Sequence, residues 1–335
     1  MTKSNILGLT LITLVLLSNE WSLAQPSCGK IFGNLSESES IQSTSDLFKY
    51  MEKSVSKLYK SSGFKNDREI IDAAKSTAEP IGHLYRAALE ILMYENLAVG
   101  MRRGAKVRSS IAQSGFLNSY EAGDSRGSVV GRESIEATYA NMTAEMWSAL
   151  PEKIKPKYAA AFPKTNSNLL SSESLDSYTG TDKYYFKLER IRDRMTITPG
   201  DSLNRFKYWE GWGFEPKTPI FWDQLFIPWK HRFLLIPCLA EGLKEGRLGL
   251  PKLPPITKYS DLGSVGNQNK IEGEGGLAPY QMKWTPNMDY LELQIWGKLT
   301  LDDVEVFEYG STPPRGSFLK ELLSRGIEIR DGRKK

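Results

Sequence analysis

Three separated segments combine charged or hydroxyl side chains with glycine and aromatic residues. Residues 101–127 read MRRGAKVRSSIAQSGFLNSYEAGDSRG, residues 184–203 read YYFKLERIRDRMTITPGDSL, and residues 290–304 read YLELQIWGKLTLDDV. Carboxylates, hydroxyls and guanidinium groups act by hydrogen bonding and by stabilising charge that develops during a reaction. We therefore look for a functional site among these three side-chain types.

Other catalytic classes lack the residues they need. The chain has two histidines, His83 and His231. Only these two residues could serve as the histidine of a Ser-His-Asp or Cys-His arrangement, and a zinc site with several histidines is excluded. The sequence also lacks the HExxH, GxxxxGK[ST] and GxGxxG motifs and an EF-hand loop. Each histidine is expected to be structural.

The three segments, in this order, resemble the ADP-ribosyltransferase-fold domains of bacterial and phage-head-morphogenesis-associated toxins. The first matches a glycine-rich [FY]-E motif through Gly115, Tyr120, Glu121, Gly123, Ser125 and Gly127, and Lys155 to Tyr158 is a further short match. The second matches through Thr196, Thr198, Gly200, Asp201 and Ser202. The third matches through Tyr290, Leu291, Glu292, Gln294, Ile295, Gly297, Leu301, Asp303 and Val304. The resemblance covers residues 101–310 in patches.

This resemblance implies cleavage of NAD, as a substrate, at its nicotinamide-ribose bond. A carboxylate can stabilise the oxocarbenium-like ribose, a neighbouring strand hydroxyl can orient that carboxylate, and a guanidinium can bind the pyrophosphate. The resemblance assigns catalysis to Glu292 and Gln294. It assigns NAD binding to Arg108, Thr196, Thr198, Gly200 and Ser202.

Several alternatives stay open at these positions. Arg103 and Arg126 compete with Arg108 as the NAD-binding arginine, and Arg108 can instead be a solvated helix charge. Glu292 can be an exposed strand glutamate, and residues 200–202 an ordinary turn. The family often has a basic residue where this chain has Leu117 and Asn118. It also often ends its motif on a second glutamate, where this chain has Gln294.

The first 24 residues are typical of a secretory signal peptide. Lys3 precedes the apolar run from Ile6 to Leu17, and cleavage is expected after Ala24. The run is too short to cross a bilayer, so no stable membrane anchor is expected. Export to a secreted or periplasmic location would place Cys28 and Cys238, the two cysteines, in an oxidising compartment, where they can pair or remain free thiols.

The fold class expected from the sequence is α+β. A helical N-terminal segment, residues 25–100, precedes a split β-sheet domain, residues 101–335, with a Trp-rich insertion around residues 203–280. The tryptophans of this section, Trp209, Trp212, Trp222 and Trp229, can be core or loop anchors. Alternatively, Tyr208, Trp209 and Trp212 can line the nicotinamide or an acceptor surface. Strands are predicted at residues 184–188, 195–198, 290–296 and 304–309.

The leading hypothesis is a secreted mono-ADP-ribosyltransferase or NAD glycohydrolase that needs no metal and acts on a protein acceptor or water. The net charge of +4 from 44 basic and 40 acidic residues does not favour a nucleic-acid partner. The acceptor and the oligomeric state are not fixed by the sequence. A second hypothesis is a catalytically inactive binding protein that keeps the fold. A weaker third is a secreted glycoside hydrolase using Glu292 and Asp201.

Overall fold

A computed structural model of the chain describes residues 40–79, 81–93, 97–123, 129–163, 181–199, 225–244 and 291–333. In these ranges the fold is α+β. The helices are α1 (Thr44–Ser62), α2 (Asp67–Ser76), α3 (Gly82–Leu92), α4 (Arg108–Ser114), α5 (Ser119–Ala122), α6 (Val129–Tyr139), α7 (Ala144–Ser148), α8 (Leu188–Ile191), α9 (Ile236–Lys244) and α10 (Gly316–Ser324). The strands are β1 (Leu97–Gly104), β2 (Lys157–Pro163), β3 (Thr181–Phe186), β4 (Met195–Pro199), β5 (Ile227–Pro228), β6 (Leu291–Ile295), β7 (Val304–Tyr309) and β8 (Glu328–Asp331).

The eight strands form one mixed sheet in the order β5-β4-β6-β2-β1-β3-β7-β8. All neighbouring strands pair antiparallel except β7 and β8, which are parallel and are joined through α10. A parallel pair needs such a crossover connection, whereas antiparallel neighbours do not. Because β6 lies between β2 and β4, residues from the late part of the chain occupy the middle of the sheet.

One face of the sheet is apolar and packs against helices. Leu293 and Ile295 of β6, Ile197 of β4 and Met101 of β1 are buried in a core that also includes Ile70 of α2, Leu89 of α3, Ile111 of α4, Leu239 of α9 and Leu322 of α10. Burying these side chains against the helices supplies the main favourable term in folding.

A second, smaller core lies on the opposite face at one end of β6. It contains Trp296, Trp147 of α7, Ile135 of α6 and Phe226. The Trp147 and Trp296 rings meet edge to face with centroids 6.1 Å apart, an arrangement that aromatic pairs favour. Helix α1 spans both cores, with Leu47 in the second and Val55 in the first.

Helices α1, α2 and α3 lie within the expected helical segment, and the last of them ends at Leu92. Ser43 caps α1 by accepting a hydrogen bond from the Asp46 amide, and Gly63 ends the helix in the left-handed region at φ 76°. Strand β1 then begins at Leu97, so the expected segment boundary at residue 100 falls inside a strand of the sheet. Gly100 and Gly104 both belong to this strand.

The four predicted strands are present. Strand β7 has the predicted bounds, and β3, β4 and β6 agree with prediction to within a few residues. Strands β1, β2, β5 and β8 were not predicted. Cys238 is bonded in a disulfide, whereas Cys28, the other cysteine of the chain, lies outside the described residues.

Several expectations fall on residues that are not described. They concern the signal peptide at 1–24, Gly200, Asp201 and Ser202, Arg126, Trp209 and Trp212, and all of the insertion at 203–280 except 225–244. Among the helices of the described residues, none is both long enough and apolar enough to cross a membrane.

Candidate functional site

The pairing of β4 with β6 brings together four of the residues that the sequence singled out. Thr196 lies opposite Gln294, and Thr198 lies opposite Glu292. Directly opposed residues of an antiparallel pair point to the same face of the sheet, so the four side chains form one cluster. Thr196, Thr198 and Gln294 are completely buried and Glu292 is 5% exposed.

The donors in this cluster point toward Glu292. The Trp296 Nε1 donates to Thr196 Oγ1 over 2.9 Å, and Thr196 in turn donates to Gln294 Oε1 over 2.8 Å. The Gln294 amide nitrogen donates to Thr198 Oγ1 and to Glu292 Oε1, both over 3.0 Å. The Thr198 hydroxyl donates to the same Glu292 oxygen over 3.5 Å.

The direction of this chain follows from its first member. An indole nitrogen only donates, so Thr196 accepts from Trp296 and is left to donate to the amide oxygen of Gln294. This fixes the amide with its NH₂ toward Thr198 and Glu292. Gln294 and Thr198 thereby both donate to Glu292 Oε1 and orient this carboxyl group.

A second buried carboxyl group lies on the same face. Glu136 of α6 is 1% exposed and accepts from Tyr158 Oη and Tyr120 Oη, each over 2.5 Å. Arg132, one turn earlier in α6, donates to the same carboxylate over 3.4 Å. Burial raises the pKa of Glu136, and the three donors oppose that shift.

Tyr158 is hydrogen-bonded to Glu136 and neighbours Glu292 in the sheet. It lies opposite Gln294 in the pairing of β2 with β6, whereas Ala160 lies opposite Glu292. Tyr158 and Glu292 are therefore diagonal neighbours on one face, with Cα atoms roughly 7–8 Å apart in such a geometry. Burial, together with the charges of Glu136 and Glu292, raises the pKa of Tyr158 well above its ordinary value.

Small side chains continue the face beyond Glu292. Ala160 pairs with Gly100 of β1, and Gly100 pairs with Tyr185 of β3. Arg102 follows Gly100 by two positions and therefore shares its face. Glu292, Ala160, Gly100 and Tyr185 thus form one row across four neighbouring strands on this face.

Arg108 lies on the other side of the sheet. Its guanidinium pairs with both carboxylate oxygens of Asp182, each over 2.7 Å, and donates to the Thr312 carbonyl. Asp182 shares a face of β3 with Tyr184, which pairs with Met101 in the apolar face. Arg103 lies opposite Asp182 and therefore on the same face of the sheet as Asp182. The structure does not bring either arginine to Glu292.

The first resembling segment has structural roles where it is described. Asn118 and Glu121 form a capping box for α5, and Gly123 ends that helix in the left-handed region. Glu121 also pairs with the buried Lys157 over 3.1 Å. Burial lowers the pKa of this lysine. Gly200 and Ser202 lie outside the described residues.

Sequence analysis did not assign Arg102, Glu136 or Tyr158 to the site. Tyr158 is the last residue of the short match at residues 155–158, so the resemblance already pointed to this position. Glu136 gave no signal, because a single glutamate in a helical pattern is ordinarily solvated. In the described ranges, no three His, Cys, Asp or Glu residues are grouped in a way that could hold a metal ion.

Comparison of the chain with protein-family models, with curated proteins and with solved structures gave no match. The geometry around Glu292 is therefore the basis on which a function can be argued.

Proposed function

We propose that the protein is an exported NAD glycohydrolase or mono-ADP-ribosyltransferase with an ADP-ribosyltransferase-like fold. One observation carries the proposal, namely the directed chain of donors from Trp296 to the carboxylate of Glu292. A buried carboxylate costs much free energy unless it is paired, and most glutamates avoid that cost by staying in water. An oriented, buried carboxylate is the group that a developing ribose cation requires.

In this proposal Glu292 acts on the ribose of NAD. The bond between the ribose carbon and nicotinamide breaks with its electron pair going to the pyridine ring, which leaves as a neutral base. The carboxylate stabilises the cation-like ribose and accepts a hydrogen bond from a ribose hydroxyl. Gln294 and Thr198 keep the carboxylate in place during this step, and ADP-ribose passes to a protein acceptor or to water.

The proposal replaces Arg108 with Arg102 as the group that binds the pyrophosphate. Arg102 lies on the same face of β1 as Gly100. Gly100 pairs with Ala160, and Ala160 pairs with Glu292. Two strand spacings and two residues separate Arg102 from Glu292, which amounts to roughly 12 Å between their Cα atoms. A guanidinium binds phosphate oxygens in pairs, so this separation suits a ligand that spans from ribose to pyrophosphate.

The first prediction concerns Glu292→Gln. The neutral amide cannot stabilise a cation, so release of nicotinamide from NAD should fall by about 100-fold or more, a loss typical when one group that stabilises the transition state is removed. The measurement is chromatography of nicotinamide formed by the purified protein. Glu305→Gln is the matched control, because Glu305 is an exposed glutamate on β7 of the same sheet.

Equal rates of nicotinamide release for Glu292→Gln and the parent protein would overturn this assignment.

Arg102→Lys should raise KM for NAD more than it lowers kcat, because lysine keeps the charge but not the paired hydrogen bonds. The folded state of each variant is checked by its thermal unfolding.

The position of Arg108 favours one second candidate, a non-catalytic binding protein with the same fold. The arginine that the resemblance assigns to NAD is engaged by Asp182. A ligand that binds only the folded state raises its stability. The second candidate therefore predicts no rise in melting temperature with NAD, whereas the NAD-cleaving candidate predicts a rise with Glu292→Gln, which binds without turnover.

A further inference from the structure

The pair Tyr158 and Glu136 has no role in the step assigned to Glu292. The Tyr158 hydroxyl donates to Glu136 Oε1, and its oxygen retains the capacity to accept a hydrogen bond. Tyr158 lies on the Glu292 face of the sheet, at the position of β2 diagonal to Glu292. A hydroxyl so placed can face an acceptor molecule that approaches the ribose.

We propose that Tyr158 and Glu136 form a proton relay that activates the acceptor nucleophile, with Tyr158 in contact with the acceptor and Glu136 as the final proton acceptor. The proposal rests on the proposed cleavage of NAD. As the acceptor oxygen forms its bond to the ribose carbon, its proton passes to Tyr158 Oη, and the Tyr158 proton passes to Glu136 Oε1. Nicotinamide departs with the electron pair of the broken bond, so atoms and charges balance.

Neighbouring groups of Glu136 support its place at the end of the relay. Tyr120 from α5 donates to the second carboxylate oxygen and itself accepts from Trp147 Nε1 over 3.2 Å, so this side of the carboxylate is closed by structural partners. Among the described residues, the charged or titratable groups that interact with the pair are Tyr120, Arg132, Lys155 and Glu292. Tyr158 is therefore the donor to Glu136 that also lies on the Glu292 face of the sheet.

The titration directions agree with these roles. A raised pKa brings Glu136 closer to neutral pH, where a general base works best, and above that pKa it is ionised and able to take a proton. Tyr158 keeps its own proton at neutral pH, because its pKa is raised. The rate should therefore rise with pH as Glu136 loses its proton.

The experiment compares Tyr158→Phe with Tyr120→Phe. Both variants remove one hydroxyl that donates to Glu136, so they disturb the buried carboxyl to a similar degree. Only Tyr158→Phe interrupts the relay. With water as acceptor, nicotinamide release should fall about 100-fold or more in Tyr158→Phe and Glu136→Gln, as expected for loss of general base catalysis, and much less in Tyr120→Phe.

Azide separates a relay from a structural role. It is an anionic nucleophile with no proton to lose, so added azide should restore nicotinamide release in Tyr158→Phe and Glu136→Gln and yield ADP-ribosyl azide. It should not restore Glu292→Gln. Glu136→Gln should also lose the rise of rate with pH, whereas Glu133→Gln, on the same helix and partly exposed, should keep it.

Two failures can be told apart. If Glu292→Gln cleaves NAD as well as the parent protein does, the proposed function itself fails. If Glu292 is required but Tyr158→Phe and Tyr120→Phe lose activity equally and azide restores neither, the relay is overturned. If Tyr158→Phe or Tyr120→Phe does not fold, the pH dependence of Glu136→Gln compared with that of Glu133→Gln decides whether the relay exists.

Discussion

Three buried carboxyl groups show how the partner decides what a side chain can do. Asp182 is fully buried and is paired with both arms of the Arg108 guanidinium. The donors to Glu292 include the Thr198 hydroxyl and the Gln294 amide, and Glu136 accepts from the Tyr158 hydroxyl and, over 3.4 Å, from Arg132. A bidentate arginine neutralises the carboxylate that it binds, whereas hydroxyl and amide donors orient a carboxylate without cancelling its charge.

The pair of Arg108 and Asp182 gives a prediction about stability. Arg108→Met should lower the free energy of unfolding by about 3–5 kcal/mol, because it removes the bidentate partner of the buried Asp182 carboxylate. Urea unfolding measures this loss. Arg192→Met is the matched control, since Arg192 is half-exposed and lies 3.8 Å from the exposed Asp193, so its change should stay within about 1 kcal/mol.

NAD affinity distinguishes this interpretation from the one that the sequence favoured. Arg108→Met should bind NAD as the parent protein does at a temperature where both are folded, by titration calorimetry in the Glu292→Gln background. If Arg108→Met keeps its stability but loses NAD affinity, Arg108 is part of the NAD-binding site.

Sequence periodicity was sufficient to place some site residues and not others. Glu292 and Gln294 are two positions apart on one strand, as are Thr196 and Thr198, so the members of each pair share a face. The partner of Arg108 is 74 residues away along the chain. No local pattern reports such a contact, because the order of strands in the sheet decides which distant residues meet.

At the scale of elements, the junction after α4 depends on one glycine. Gly115 has φ 83° and ψ −166°, a region open essentially to glycine alone. Its neighbour Phe116 donates its amide hydrogen to the Leu299 carbonyl over 2.8 Å. The segment leaving α4 is thereby tied to the loop between β6 and β7.

Gly115→Ala should therefore be strongly destabilising. A Cβ at this position would lie 2.4 Å from the Leu299 oxygen, in addition to a backbone cost of about 1–3 kcal/mol. Gly123→Ala is the control, because φ is +64° there but no described atom lies within 4 Å of the added carbon. Denaturant unfolding should show the larger loss for Gly115→Ala, and similar losses would mean that the contact with Leu299 is absent.

The predicted and unpredicted strands differ in their local signals. Strand β7 alternates valine with glutamate and aromatic residues, which favours a strand without further context. Strand β2 reads KYAAAFP, and its three alanines have low strand propensity. It is a strand because β1 and β6 pair with it on both sides. Tertiary pairing thus determines the very strand that carries Tyr158.

At the scale of the whole molecule, the sheet separates two cores of different size. The larger core covers the apolar face, and the smaller one closes the end of the polar face at Trp296. Trp296 belongs to that smaller core and also begins the donor chain to Glu292. Packing around α6 and α7 is therefore coupled to the orientation of the candidate catalytic carboxylate.

The disulfide of Cys238 supplies the last prediction. Cys238 is buried in the larger core on α9, which packs against α3. If its partner is Cys28, the bond closes a loop over much of the chain and constrains the unfolded state, an effect of about 2–4 kcal/mol for typical disulfides. A reductant should then lower the melting temperature of the parent protein, measured by calorimetry at neutral pH.

Paired variants make this test specific. Cys28→Ala and Cys238→Ala should both remove the effect of the reductant, because either change leaves the other cysteine unpaired. Cys238→Ala should be slightly less stable than Cys28→Ala, since it also removes a sulfur from a packed core. A reductant effect that persists in Cys28→Ala would show that Cys238 pairs between two molecules. The stability of the oxidised protein would then depend on protein concentration, as mass action requires for any linked dimer.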